Sequence, residues 1–421
     1  MNNKNIELLS PAGNFEKLKI ALEYGADAVY AGVSHFSLRT RSAKEFNYDT
    51  FYEAVNYTHK MGKKIYATIN GFPFNSQIEL LKKHIMKMTS IKPDAFIVST
   101  PGVIKLAREI APNIPIHLST QANVMNYLDA LFYKEVGVKR IIAAREVSLK
   151  DLKEIKKEVP DMEFEIFVHG SMCFAYSGRC LISSLQSGRV PNRGSCANDC
   201  RFPYTLYAEN KEDGTLLKLE EDENGTHIMN AKDLNLSNYI DDILKSGVVN
   251  SLKIEGRTKS PYYVAIATKA YRMAIDDYLK GKFDAKKYEK ELETTKHRGF
   301  NDGYLVKRPY QKQGEQNLKE SISQGTHQVY ALVGEEGKTF LAKDKVEPNV
   351  VYEIVAPLNS KIQVCQNEIG QIFSEGKNWY LKLNKIQTIN GKIYDTIHSG
   401  NTNPVILPCR LPKFSFLRKK L

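Results

Sequence analysis

Residues 6–32 read IELLSPAGNFEKLKIALEYGADAVYAG, and this stretch decides the fold. Two short apolar runs, 6–10 and 27–32, flank a segment in which apolar residues recur every three or four positions up to Gly25. The two runs predict strands, and the segment between them predicts a helix that ends at a glycine, the residue that best adopts the left-handed backbone closing a helix. The stretch therefore predicts a strand–helix–strand unit.

The same alternation recurs through the first 280 residues. Further strand-like runs lie at 64–70, 94–100, 115–121, 140–144, 163–170 and 251–256, with helical periodicity between them. Together with a final helix at 261–281, these eight strand–helix units predict an α/β fold, a (β/α)8 TIM-like barrel. An open, doubly wound sheet is the alternative.

The pattern changes after residue 282, which predicts a second domain. We predict a barrel domain over 1–282, with an insertion at 171–230 after the seventh strand, and a connecting region over 283–325. Short alternating runs over 326–421 predict a small antiparallel β-barrel. The runs are 328–334, 338–344, 350–356, 361–366, 379–386, 392–400 and 404–412. The insertion follows the C-terminal end of a strand, which is the end where barrels of this type carry their active sites.

Four of the six cysteines fall in that insertion, with the spacing C-x6-C-x15-C-x3-C: Cys173, Cys180, Cys196 and Cys200. No signal-peptide pattern and no run of about 18 apolar residues occurs, so we expect a cytoplasmic protein without membrane spans, whose thiols stay reduced. Four thiolates suit an iron–sulfur cluster or a structural zinc ion, and the irregular spacing favours the cluster. A chance cluster of unligated thiols is the remaining alternative. Cys365 and Cys409 are expected to be small buried apolar residues.

Polar residues near the predicted strand ends are candidates for the site. The proposed catalytic residues are His169, Tyr176, Arg145 and Arg257, and the proposed substrate contacts are Asn70, Gln121, Asn123, Arg179 and Glu255. Arginines in a barrel mouth suit an anionic ligand, because the guanidinium group binds carboxylate or phosphate through paired hydrogen bonds. The structural alternatives are a turn hydrogen bond for His169, local packing for Tyr176, and salt bridges to Glu146 or Glu255 for the arginines.

The net charge is +12, from 60 Lys and Arg against 48 Asp and Glu. This excess favours a polyanionic partner such as nucleic acid, although a solvated basic surface would give the same average. The motifs H-E-x-x-H, G-x-S-x-G and G-x-x-x-x-G-K-[ST] do not occur. The sequence therefore lacks the recognisable machinery of common hydrolases and nucleotide hydrolases.

The stretch EIFVHGSMCFAYSGRCLISS (165–184) resembles the signature of the collagenase-like peptidase family (class U, family 32). Further similar stretches are HLSTQANVMN (117–126), NRGSCANDCRFPY (192–204), SLKIEGRTKSPYYVA (251–265) and HRGFNDGYL (297–305). The cysteine spacing is most similar to the members of that family that form 5-hydroxyuridine at the wobble position of the tRNA anticodon.

The resemblance implies a hydroxylase that acts on tRNA without oxygen, with prephenate or a similar small anionic molecule as the hydroxyl donor. It also implies an iron–sulfur cluster, of the 4Fe-4S type, on the four clustered cysteines. Some relatives take one ligand from the segment that here reads KDLNLS, where this chain has Asn235, so the resemblance makes Cys200 the fourth ligand. A collagenase-like peptidase and a non-catalytic RNA-binding factor with structural zinc are the alternatives, and a protein partner is left open.

Overall fold

The computed structural model describes residues 6–33, 36–38, 46–173, 175–189, 191, 194–202, 204–219, 231–306 and 324–421. The helices are α1 (Phe15–Glu23), α2 (Tyr48–Lys60), α3 (Ile78–Ile91), α4 (Pro101–Ile110), α5 (Tyr127–Glu135), α6 (Leu149–Glu158), α7 (Ile182–Ser187), α8 (Ile240–Ser246), α9 (Pro261–Leu279) and α10 (Ala285–Leu292). None of these described helices is both long and apolar enough to cross a bilayer.

The strands of the first 301 residues are β1 (Glu7–Pro11), β2 (Ala28–Ala31), β3 (Lys64–Ile69), β4 (Ala95–Val98), β5 (Ile116–Leu118), β6 (Arg140–Ile142), β7 (Glu163–Ser171), β8 (Leu206–Glu209), β9 (Leu216–Leu219), β10 (Asp233–Asn235), β11 (Ser251–Ile254) and β12 (Phe300–Asn301). Strands β1 to β7 pair in chain order, and β11 pairs with both β7 and β1, all in parallel. The ring is therefore closed. The predicted (β/α)8 TIM-like barrel is confirmed, and the open sheet is wrong.

The opening stretch folds as its pattern predicts. The side chain of Asn14 accepts a hydrogen bond from the Lys17 backbone N–H (2.9 Å), which caps the start of α1. The helix ends before Gly25, whose φ of +106° favours glycine, and a Cβ there would lie 2.6 Å from the Arg272 side chain. The apolar face of α1 is buried against the barrel core.

Strand β7 is longer than its neighbours and reaches beyond the barrel. Its last three residues pair antiparallel with β10, and β10 pairs in turn with β12. The buried ion pair between Arg298 and Asp233 joins the start of β10 to the segment before β12. The insertion between β7 and β10 contains α7 and the hairpin of β8 and β9. Residues 220–230 of the predicted insertion lie outside the described residues.

The second domain contains β13 (His327–Val333), β14 (Thr339–Ala342), β15 (Val351–Val355), β16 (Cys365–Gln366), β17 (Gly370–Glu375), β18 (Asn378–Leu383), β19 (Ile386–Gln387), β20 (Ile393–Tyr394), β21 (Val405–Ile406) and β22 (Phe416–Lys420). Eight of them form an antiparallel sheet in the order β16-β17-β18-β15-β22-β13-β14-β21. The predicted small antiparallel β-barrel is thus a half-barrel, because the edge strands β16 and β21 do not pair in the described part of the chain. The sequence reading missed strands β17 and β22.

A disulfide between Cys365 and Cys409 spans the gap between the two edge strands, with the Cα atoms 6.5 Å apart. The Asn367 side-chain amide also donates a hydrogen bond across the gap to the Pro408 carbonyl (2.6 Å). The expectation that these cysteines are unpaired buried residues is wrong. The sequence does not show that β16 and the segment after β21 meet, because that contact depends on the curvature of the whole sheet.

The two domains share a buried interface. Tyr24, the residue that follows α1, donates hydrogen bonds to the carbonyl groups of Val355 (3.1 Å) and Phe414 (2.9 Å), and its ring packs in a cluster with residues of α9 and β22. Arg418 of β22 donates to the Tyr262 hydroxyl (2.9 Å) and pairs with Glu353 and Glu291. Strand β22 therefore joins the half-barrel to the (β/α)8 barrel.

Candidate functional site

A cavity lies at the C-terminal end of the barrel, between the strand ends and the cysteine insertion. Its lining includes residues that follow β3, β5, β6 and β11, together with residues of the insertion. Most of the predicted site residues contribute to it: Asn70, Gln121, Arg145, Tyr176, Glu255, Arg257, Cys173, Cys180, Cys196 and Cys200. The structure therefore brings these residues, which span nearly 190 positions of sequence, around one space.

The insertion contacts the barrel next to the first two cysteines. Glu146, which follows β6, accepts hydrogen bonds from the backbone N–H (3.1 Å) and the hydroxyl (3.3 Å) of Ser177. Gly178 has a φ of +74°, and a Cβ there would lie 2.4 Å from the Gln121 carbonyl oxygen. Glu146 therefore positions the loop, and only glycine allows the loop this close to the end of β5.

The four clustered cysteines all line the cavity; Cys173 is exposed and the other three are half-buried. Burial raises the pKa of the Cys180 thiol, and the neighbouring Cys173 and Cys196 raise it further. Four soft sulfur donors around one space fit a four-thiolate group in chemical type and in position. However, no three His, Cys, Asp or Glu side chains in the described ranges are gathered closely enough to hold one metal ion. Ligation by all four would thus require the segments that carry them to move together.

The side chains of Arg145 and Arg257 both line the cavity, but they have different partners. The Arg145 guanidinium lies 4.2 Å from the centre of the Phe167 ring and 3.7 Å from a carboxylate oxygen of Glu255. The buried Arg257 guanidinium donates to the hydroxyl groups of Ser37 (2.7 Å) and Thr68 (3.1 Å) and to a backbone carbonyl. Arg257 is thus largely committed to protein acceptors and orders the segment at 36–38. Among the described residues, Arg145 has one ion pair, and it is longer.

A buried lysine that the sequence reading missed lies at the cavity floor. The Lys253 ammonium lies 2.8 Å from a Glu165 oxygen and 4.4 Å from the centre of the Tyr30 ring. Burial lowers the pKa of Lys253, and the Glu165 carboxylate opposes that shift. The alternation in SLKIEG (251–256) could have indicated Lys253. This residue and Glu255 are two positions apart in the predicted strand and therefore share its inward face.

Below the cavity, the barrel interior contains a network of buried charges. Arg140 contacts the carboxylates of Glu7 (2.5 Å), Glu163 (2.9 Å) and Glu165 (3.3 Å). Burial alone would lower the pKa of Arg140, but the carboxylates of Glu7 and Glu165 outweigh burial and raise it. Glu165 therefore links this network to Lys253, and the network fixes the position of the cavity floor.

Two amide side chains also present hydrogen-bond donors at the cavity. The Asn70 carbonyl oxygen accepts from the Leu38 N–H (3.1 Å), and that of Gln121 accepts from the Ser99 hydroxyl (3.1 Å). Neither amide nitrogen has a hydrogen-bond partner among the residues that the structure describes. The charged lining has three cations, Arg145, Arg257 and Lys253, against one carboxylate, Glu255. The cavity therefore favours a ligand with negative charge and acceptor oxygens.

Comparison with known families identifies the chain. The model described as "Peptidase family U32" matches residues 13–315, most of the chain. The chain belongs to peptidase family U32. This U32 chain is 58% identical to "tRNA hydroxylation protein P" of Helicobacter pylori strain J99, over 99% of both chains. It is 38% identical to "tRNA hydroxylation protein P" of Escherichia coli strain K12, covering 87% of this chain and 90% of that protein. It is 31% identical to "Collagenase" of Porphyromonas gingivalis strain W83, covering 73% and 75%.

The U32 chain does not place His169 at the cavity. This side chain is buried against the rings of Tyr263 (5.6 Å), Tyr271 (5.6 Å) and Phe300 (5.7 Å). Burial lowers the pKa of His169 to about 3, so the ring is neutral at physiological pH. The predicted substrate contact is not supported. The histidine belongs to an aromatic cluster with residues of α9 and β12.

Asn123 and Arg179 also lie outside the cavity lining of the U32 chain. Asn123 has a φ of +58° and ends the short turn after β5, so its role is in the backbone conformation. Arg179 is exposed, and its guanidinium lies 3.4 Å from the Gly178 carbonyl. Asn235 lies opposite His169 on β10, where it accepts from the Ser237 N–H (3.0 Å), and it is not part of the cavity lining either.

Proposed function

We propose that this chain is a tRNA-modifying hydroxylase that forms 5-hydroxyuridine at the wobble position of the anticodon. The observation that carries the proposal is the identity of 58%, over 99% of both chains, to a relative named for tRNA hydroxylation. The net charge of +12 suits a polyanionic substrate. Acting on tRNA, the protein would work in the cytoplasm.

We further propose that Cys173, Cys180, Cys196 and Cys200 hold an iron–sulfur cluster of the 4Fe-4S type. The support is the convergence of four thiol side chains on one cavity. When bound, such a cluster would supply electron-transfer or Lewis-acid chemistry beside the ligand space. Zinc in the same position would leave a structural site without redox chemistry.

The rest of the cavity would bind and orient the reactants. Arg145 and Lys253 would bind the carboxylate groups of a small anionic donor, for which prephenate is our expectation. The free amide N–H groups of Asn70 and Gln121 would donate to acceptor oxygens of the donor or of the uracil ring. Tyr176 lines the cavity with 59% of its surface exposed, so its ring is available to stack on an extruded base. Arg257 would position the segment at 36–38 rather than contact the substrate.

Deletion of the gene, followed by mass spectrometry of the tRNA nucleosides, tests the activity. We expect 5-hydroxyuridine and its derivatives to disappear and to return when the wild-type gene is supplied. An unchanged level in the deletion strain would contradict the proposal. Cleavage of gelatin by the purified protein, lost in a Cys180→Ser variant, would support a peptidase instead.

Purification without oxygen, followed by metal and sulfide analysis, tests the cofactor. We expect about four iron and four sulfide per chain, with absorption in the visible range. The double variant Cys365→Ser/Cys409→Ser is the control for substitutions of the clustered cysteines, because it removes the disulfide-bonded pair of the other domain and should keep the full iron content. Stoichiometric zinc without iron would support the structural-zinc alternative.

Variants of the two cavity cations test the donor site. We expect Lys253→Met and Arg145→Met to raise the KM for the donor about tenfold to a hundredfold, since each removes a charge-assisted hydrogen bond. Arg145→Lys should recover part of that loss. Lys245→Met removes an exposed lysine on α8 and should leave the KM unchanged. Wild-type kinetics in both cavity variants would contradict the assignment.

A further inference from the structure

The half-barrel has an aromatic pair on the face of its sheet that points away from its core. Phe373 of β17 lies directly opposite Tyr380 of β18, with ring centres 5.6 Å apart and planes at 28°. The alternate residues of the same two strands, such as Ile372 and Leu381, are buried in the core. Phe373 and Tyr380 remain half-buried and belong to none of the hydrophobic clusters of the described residues. Packing within the chain therefore does not explain why two aromatic side chains lie on this face.

Two lysines lie on the same face as the aromatic pair. Lys382 is two positions after Tyr380, and in the register it lies between Gln371 of β17 and Val351 of β15. Lys420 is two positions after Arg418, which lies in the same cross-strand row as Tyr380 through Glu353. Period-two alternation puts all these side chains on one side of the sheet.

The charge of the two lysines is not neutralised locally. Arg418 is held by the carboxylates of Glu353 and Glu291, whereas neither Lys382 nor Lys420 forms an ion pair within the ranges that the structure describes. We call Phe373, Tyr380, Lys382 and Lys420 the aromatic–lysine face. It combines an apolar stacking surface with two lysines that have no ion pair among the described residues, and it also carries one carboxylate, the exposed Glu375, two positions after Phe373.

We propose that the aromatic–lysine face binds unpaired nucleotides of the tRNA, at a second site separate from the barrel cavity. This inference rests on the proposed function, which supplies the RNA. Bases stack on planar aromatic side chains whatever their identity, and lysines contact the phosphates that follow. A protein partner fits less well, because lysine is depleted at the core of protein–protein interfaces.

The position of the face agrees with a role in holding the substrate. The row that contains Tyr380 continues through Glu353 to Arg418, which contacts Tyr262 and Glu291 of the barrel domain. The aromatic–lysine face therefore borders the junction between the two domains. RNA bound there would add affinity while a separate nucleotide enters the cavity, because two linked contacts raise the effective concentration of each.

Binding of unmodified tRNA transcript to the full-length protein, measured by fluorescence anisotropy at several salt concentrations, tests the inference. We expect Phe373→Leu/Tyr380→Leu to weaken binding about tenfold or more, since leucine keeps the apolar bulk and removes the ring faces. We expect Lys382→Gln/Lys420→Gln to reduce the slope of log K against log salt by about 1 to 2. The charge-matched control is Lys338→Gln/Lys343→Gln, whose lysines flank β14 in the same sheet. It should reduce the slope of log K against log salt less than Lys382→Gln/Lys420→Gln does.

Each outcome decides between the two proposals. If the wild-type protein does not bind tRNA and forms no product, both the proposed function and this inference fail. If the wild-type protein binds and modifies tRNA, and both double variants bind as tightly with the same salt slope, only the aromatic–lysine face is wrong. An equal loss of slope in the control pair would also overturn it, because the charge effect would then be general. Circular dichroism of each variant verifies that the sheet is intact.

Discussion

The barrel mouth and the cysteine insertion form opposite walls of one cavity, yet they are held very differently. At the mouth, Arg257 alone donates to three acceptors, and Lys253 is linked to a buried network of charges. In the insertion, Cys173 is exposed, and Leu185 of α7 is 82% exposed. The cations are therefore held by buried contacts of the fold, whereas parts of the insertion are exposed.

The largest expected effect comes from replacing a thiol in the insertion. We expect Cys173→Ser to lower iron content severely and to reduce 5-hydroxyuridine to below about one per cent, because a cluster needs its sulfur ligands. The free energy of unfolding of the apoprotein should change by less than about 0.5 kcal/mol, since the side chain is exposed. Iron analysis, nucleoside analysis and urea unfolding measure the three quantities. Full product with a full iron content would remove Cys173 from the ligand set.

The next effect concerns the charge network around Arg140, below the cavity. We expect Arg140→Met to lower the free energy of unfolding by about 3–5 kcal/mol, because it leaves the buried Glu165 and the half-buried Glu7 and Glu163 without their shared cation. Urea unfolding measures the change. Lys139→Met replaces the exposed neighbouring residue and should shift the free energy by less than about 0.5 kcal/mol. An equal effect of the two substitutions would show that the buried network adds nothing to the free energy of unfolding.

A smaller effect is a pH dependence of stability, and it concerns His169 in its aromatic cluster. The folded-state pKa of His169 is about 3, while the unfolded chain titrates near 6.5, so only the unfolded state gains a proton between these values. Stability should therefore fall as the pH drops below about 6.5, by about 2 kcal/mol at pH 5. We expect His169→Phe to flatten this part of the curve of unfolding free energy against pH. The exposed His398→Gln is the control, and an unchanged curve for His169→Phe would contradict the assignment.

The smallest effect tests how the two walls meet. We expect Gly178→Ala to lower product formation about tenfold while changing the free energy of unfolding by only about 1 kcal/mol, because an added Cβ would press against the Gln121 carbonyl and displace the loop. Gly188→Ala is a close control: its φ of +65° is similar, and nothing lies within 4 Å of the added Cβ. Product formation by Gly188→Ala should stay near the wild-type level. Equal losses in both variants would assign the effect to the backbone rather than to the contact.

The sequence predicts the barrel well because hydrophobic periodicity is a local signal, and each of the eight strand runs forms a barrel strand. It predicts much of the cavity for a related reason: residues such as Gln121 and Glu255 follow strand ends, and parallel strands bring those ends together. His169 is misplaced because its position in β7 does not show whether it faces the cavity or the aromatic cluster. Strand β22 was missed because FLRKK reads as a basic tail, and its partners lie far away in sequence.

The extra length of β7 has a consequence for how the four sulfur atoms could converge. Its last three residues are paired with β10, and Cys173 follows only two residues after that pairing ends. Cys180, Cys196 and Cys200 lie further along the insertion: Cys180 precedes α7, and Cys200 lies in the short 3-10 turn Asp199–Arg201. Cys173 therefore has the shortest connection to the paired strands of the four cysteines, and an inorganic centre bound by the set would be joined to the barrel most directly through this residue.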